Sequence, residues 1–169
     1  MEVRAATLAA VADRPADDTP RLAYADWLDD HAGDLPDPAA ARVRAEFIRV
    51  QCEVERLKHL PSARPQAYAE LYRRQDHLLT HHRRDLLGPL ADALGPHDAV
   101  FDRGFVTEIG LTDEAFVAHA PAIAEFIPHP DVAVTAGSPS REFLASPYLG
   151  LLTPLRWLSV VDPNNPTPA

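Results

Sequence analysis

A chain of 169 residues with 46% apolar and 24% charged side chains has the make-up of a globular protein and is long enough to bury a core without disulfide or metal support. No apolar run approaches the roughly 20 residues that cross a bilayer, and the opening MEVRAATLAAVADR lacks the basic start, apolar centre and cleavage site of a signal peptide. With Cys52 as the one cysteine, an internal disulfide is excluded and a reducing, cytoplasmic location is expected.

Charge is unevenly distributed. The formal net of −9 divides into −6 over residues 1–37, +5 over 42–84 and −8 over 85–169. A basic middle between acidic ends predicts that parts of the chain pair with one another, or that the middle offers a positive strip to an anion. Lys58 is the only lysine among sixteen basic residues, which with abundant Ala, Pro and Asp suggests a GC-rich, bacterial coding sequence.

In chain order, residues 2–13 read as a short Ala-rich helix closed by the turn around Pro15. A second helix starts in DDTPRLAYADWLDDH, with Asp18 or Thr19 as its cap and Pro20 in its first turn, where a missing N–H costs nothing. Leu22, Ala25 and Leu28, with Ala23, Tyr24 and Trp27, form its expected buried side, leaving Asp26, Asp29 and Asp30 outward. The loop AGDLPDP ends it. From about Ala39 to His59, Val43, Phe47, Val50, Val54 and Leu57 follow helical spacing, while Ala41, Ala45, Ile48 and Cys52 lie roughly opposite. That pattern predicts a spine covered on both sides. A further long helix over 66–87, with Tyr68, Leu71, Tyr72, Leu78, Leu79 and Leu86 on one face, completes an antiparallel hairpin.

The pattern then changes. Val100 to Phe101 and Phe105 to Ile109 read as extended segments around a tight turn at Gly104. A helix capped by Thr112, a strand DVAVT, a helix SREFLASPYLGLL capped by Ser140 and a strand LRWLSVV follow. The strand centres near Ile109, Val134 and Leu158 recur within the roughly 20–29 residue period of leucine-rich repeats. The expected fold class is α/β, with a helical module over 1–95 and a short leucine-rich-repeat-like β-α array over 96–169 packed on it as one continuous structural unit.

These blocks carry a family resemblance. Asp18, Thr19, Pro20, Arg21, Leu22, Tyr24, Ala25, Asp26, Trp27 and Leu28, then Arg44, Glu46, Phe47, Ile48, Arg49 and Gln51, then Arg103, Gly104, Phe105 and Val106, resemble the bacterial repeat-companion domain, over roughly residues 5–60 and 100–127. That module commonly precedes leucine-rich repeats. The loop AGDLPDPAAARV is wider than in the shortest family members, and the array runs for about two units where family arrays generally continue. The resemblance implies an architecture and a binding role, with no established activity to transfer.

The chemistry-bearing residues give no complete catalytic set. Asp26, Asp29, Asp30, His31, Asp34 and Asp37 offer oxygen and nitrogen ligands, but the EF-hand order is absent and acids three and four apart on a helix usually form a solvated or ion-paired face. Asp26 or Glu46 pairing with Arg21, Arg44 or Arg49 is the structural alternative. His77 and His81 have metal-chelate spacing without the H-E-x-x-H pattern, and His82 falls on the apolar stripe. Neither G-x-S-x-G nor a Gly-rich phosphate loop occurs, and Cys52 lies mid-helix without a feature that would activate it. Arg42, Arg44, Arg49, Arg56, Arg73, Arg74, Arg83 and Arg84 could line a phosphate-binding strip, against the negative total charge. The expectation is therefore a non-enzymatic protein-protein interaction module with a protein partner and no cofactor. Metal-assisted hydrolysis through the Asp26–Asp37 cluster or His77/His81 is the alternative, and nucleic-acid binding through the arginine-rich hairpin is the lesser one.

Overall fold

The computed structural model describes residues 2–58, 65–95, 98–126, 131–135 and 140–151. Its elements run α1 (Glu2–Asp13), α2 (Thr19–Asp30), α3 (Pro38–Lys58), α4 (Pro65–His81), α5 (Arg83–Leu87), β1 (Ala99–Asp102), β2 (Phe105–Thr112), α6 (Asp113–Phe126), β3 (Asp131–Thr135) and α7 (Arg141–Leu144), so the class is mixed α/β. Two compact units are present. The first comprises Met1–Ala91 with Phe101–Val106, the second Asp92–Val100 with Thr107–Ala169.

In the first unit, α3 is the spine that its two apolar stripes predict. One stripe, with Ala41, Ala45, Ile48 and Cys52, packs with Val11 of α1, Tyr24, Ala25 and Leu28 of α2, and Phe105. The other, with Phe47, Val50 and Val54, packs with Leu78 of α4 and Leu86 of α5, bordered by Phe101. Phe47 and Ile48 are adjacent in sequence and wholly buried in different clusters. Burying each such side chain contributes about 1.5–3 kcal/mol, so the spine binds its neighbours from both sides.

Several local expectations are corrected. Leu22 is exposed and Arg21, beside it, is buried, because the inward side of α2 runs through Arg21, Tyr24, Ala25 and Leu28. The first free N–H of α2 is satisfied one residue earlier than expected, since Thr19 N donates to Asp17 Oδ1 at 2.8 Å in an Asx turn while the Asp18 side chain makes no cap bond. That bond holds the Asp17 carboxyl below its usual range. The single helix expected over 66–87 is two, broken at His82 (φ −124°, ψ 18°), whose Nδ1 lies 3.0 Å from Asp85 Oδ2.

In the second unit, β2 and β3 are parallel, and α6 makes the crossover between them. From Glu108 to Thr112 each β2 residue pairs with the residue 23 positions later, Ile109 with Val132 and Leu111 with Val134. All four of these side chains are buried, whereas Glu108 and Thr112 point outward. The sheet order is β1-β2-β3, with β1 and β2 joined as an antiparallel hairpin through Arg103 and Gly104. Thr112 Oγ1 caps α6 by accepting from Ala115 N, and Ser140 Oγ caps α7 by accepting from Phe143 N, both at 3.2 Å. Asp113, at the start of α6, accepts from Ser140 N at 2.8 Å, and Phe116 meets Phe143 edge to face at 5.5 Å. Helix α7 stops at Leu144 instead of reaching Leu151, because Pro147 forbids helical conformation at Ser146 and supplies no N–H. The expected strand LRWLSVV lies outside the described residues.

Candidate functional site

Three of the residues quoted for the family resemblance, Arg21, Tyr24 and Arg44, converge on the ring of a fourth, Phe105. Tyr24 lies 5.7 Å from it, and the guanidinium carbons of Arg21 and Arg44 stand 5.8 and 5.6 Å from its centroid. Cations on an aromatic face are attracted by its quadrupole, and desolvation strengthens that attraction. Both arginines are more than nine-tenths buried, and burial is the main cause that draws their pKa values down. Arg21 Nη1 donates to Asp17 O at 3.0 Å, fixing the chain just ahead of α2.

The tip preceding Phe105 is held still more closely. Arg103 sits in the left-handed region at φ 44°, a conformation that costs a non-glycine residue energy and needs compensation. Its side chain supplies that compensation, donating to Pro15 O at 2.6 Å, Ala16 O at 3.0 Å, Asp18 Oδ1 at 3.2 Å and Asp102 Oδ2 at 3.0 Å. Those carboxylates raise its pKa against the opposing effect of burial. Gly104, at φ +87°, donates its N–H to Gln51 Oε1 at 2.6 Å and lies against the backbone of Ile48. Gln51 in turn reaches Gln75 of α4 at 3.4 Å.

The structure thus brings together Arg21, Tyr24, Arg44, Gln51, Arg103, Gly104 and Phe105. Thr19, Pro20 and Leu28 shape and dock α2. Phe47 belongs to the opposite cluster, and Trp27 forms the rim of the aromatic group, stacked between Tyr24 at 6.0 Å and His31 at 4.8 Å. Of the expected ion pairs, Asp26 does meet Arg49, at 2.7 Å, and Asp29 joins it at 2.6 Å. Glu46 pairs instead with Arg74, at 2.6 Å, while Arg21 and Arg44 turn to Phe105. Asp18, Ile48 and Asp102 complete the tip's surroundings. The i-to-i+1 run Asp102-Arg103-Gly104 was the available signal for a strained turn with a local counter-charge.

As chemistry this constellation is a latch. Its cations face a ring, backbone carbonyls and two carboxylates, and its thiol, Cys52, is buried and pushed up to about 12, with burial the main cause. At neutral pH such a thiol stays protonated and is a poor nucleophile. Three of the acids expected as metal ligands have structural roles instead. Asp26 and Asp29 hold Arg49, and Asp37 Oδ1 accepts from Ala39 N and Ala40 N at the start of α3. Among the described residues no group of three or more His, Cys, Asp or Glu side chains is placed to hold a metal ion. Of the expected basic strip, Arg49 pairs with Asp26 and Asp29, Arg56 with Glu53 and Arg74 with Glu46, while Arg44 and Arg83 lie over the Phe105 and Phe101 rings.

No helix among the described residues is long and apolar enough to cross a membrane. Comparison of the chain with protein-family models, with curated proteins and with solved structures finds no match in any of the three.

Proposed function

We propose that the chain is a non-enzymatic protein-interaction module of the bacterial repeat-companion type, acting in the cytoplasm, in which a latched helical unit precedes a short leucine-rich-repeat-like array. The observation that carries this reading is the parallel β2–β3 register with its 23-residue offset and its crossover helix α6. That offset falls within the roughly 20–29 residue period of leucine-rich repeats, whose stacked strands present a rigid face to partners. The Asp113 bond to Ser140 N and the Phe116–Phe143 contact join successive helix starts, as a stacked array requires. The resemblance of the blocks around Tyr24, Ile48 and Phe105 to the repeat-companion module supports the same reading, as does their use in a latch instead of a reactive centre.

The outward positions of β2, Glu108 and Gly110, are the face offered to a protein partner. Affinity capture from a bacterial lysate, run in parallel with Glu108→Lys and Gly110→Arg chains, tests it. A partner retained by the parent chain and lost from both variants is the expected result. Equal capture by all three chains, or turnover by the purified protein in a broad hydrolase screen, would overturn the reading.

A further inference from the structure

We propose that His77 and His81 form a two-imidazole site for a borderline divalent transition-metal ion, with copper(II) favoured over nickel(II) and zinc(II). Both side chains are exposed on the last turn of α4, and their rings are stacked, 4.2 Å apart between centroids and 29° between planes. Spacing of four residues on a helix brings the two rings to one side of it.

The hydrogen bonding of the pair prepares one ring for a metal. His81 Nδ1 lies 2.9 Å from the carbonyl oxygen of His77. A carbonyl only accepts, so Nδ1 carries a proton and Nε2 is the nitrogen left for a metal. Anchoring one ring nitrogen on an oxygen acceptor is the usual means by which proteins orient a metal-binding histidine. The carbonyl-rich C-terminal end of α4 adds a negative field that favours a cation there. One turn earlier, Arg74 is engaged by Glu46 at 2.6 Å and Arg73 Nε donates to Ala69 O at 3.3 Å.

The donor set also selects the ion. Two neutral imidazoles with no carboxylate suit copper, nickel and zinc and disfavour magnesium and calcium, and affinity at such nitrogen sites rises toward copper. Because no third His, Cys, Asp or Glu converges on the pair among the described residues, water fills the remaining positions and the ion exchanges readily.

The test is titration of the untagged 169-residue chain with copper(II) near neutral pH, by calorimetry against a weak competing chelator and by electron paramagnetic resonance. The expected result is one equivalent bound with a two-imidazole nitrogen pattern. His77→Gln and His81→Gln should each weaken binding by about tenfold or more with unchanged helical circular dichroism, and His119→Gln should leave it unaltered. Copper binding that survives either His77→Gln or His81→Gln at parental affinity, or that is lost with His119→Gln, would overturn the proposal.

Discussion

Replacing Gly104 by alanine is expected to destabilise the helical unit severely, and the contributions follow from geometry. At φ +87° an L side chain costs about 1–2 kcal/mol. A methyl group there would overlap Ile48 Cγ1 and stand 2.5 Å from Ile48 Cα and 2.8 Å from its Cβ, so the tip or α3 must shift; overpacking of this kind costs about 1–3 kcal/mol. A shift of the tip also strains the Gly104 N–H bond to the buried Gln51 side chain, whose unsatisfied acceptor is worth about 1–3 kcal/mol. The terms overlap, and together they give about 3–6 kcal/mol, against a total stability of about 5–15 kcal/mol for a typical domain. Urea unfolding followed by circular dichroism and tryptophan fluorescence measures it, with Gly110→Ala as the control, because a Cβ at Gly110 meets nothing within 4 Å. Combining Gly104→Ala with Ile48→Ala should bring only partial relief, since the clash with the Ile48 backbone persists. A Gly104→Ala loss below about 1 kcal/mol, or one no larger than that of Gly110→Ala, would refute the reasoning.

Three further outcomes are expected. Arg103→Lys should cost about 2–3 kcal/mol in the same unfolding assay, because one ammonium cannot reach Pro15 O, Ala16 O, Asp18 and Asp102 together; a parent-like midpoint would contradict the latch. Asp26→Asn with Asp29→Asn should cost less than about 1 kcal/mol, and less again in high salt, since Asp26 is 70% exposed in its pair with Arg49; a larger, salt-insensitive loss would show that the pair is structural. The Ser140 N–H holds the Asp113 carboxyl below the usual aspartate range, so its stabilisation is present above that range and is lost as pH falls through the lower, folded value. Asp113→Asn should therefore lower stability near neutral pH and flatten the acid limb below about pH 4, whereas an acid limb identical to the parent's would rule this out.

What the sequence reveals and what it conceals divides along physical lines. The two faces of α3 were legible because helical periodicity reports burial directly, and Phe47 and Ile48 went to separate clusters as their spacing required. The turn at Gly104 and the caps Thr112 and Ser140 were legible because short-range chemistry sets them. The break at His82 was not, since HHRR contains no glycine or proline, and His82 leaves helical dihedrals beside a local contact with Asp85. Arg21 and Arg44 misled for a different reason. Arginine normally signals surface or an ion pair, and only the arrival of Phe105 from far along the chain makes their burial favourable. Likewise, nothing in the composition distinguishes Arg74 from its neighbours as the partner of Glu46.

That residues 101–106 belong to the helical unit bears on how the protein is made. Helices α1 to α5 leave the ribosome first, yet the seat between Tyr24, Arg21 and Arg44 stays vacant until Phe105 emerges. During that interval the nascent chain carries two desolvation-prone cations and an open apolar socket, a state that favours association with other chains. A cut after residue 95 would leave the finished protein in the same condition permanently. Completion of the N-terminal core is thereby tied to synthesis of the β1–β2 hairpin, and the helical unit cannot mature ahead of the segment that follows it.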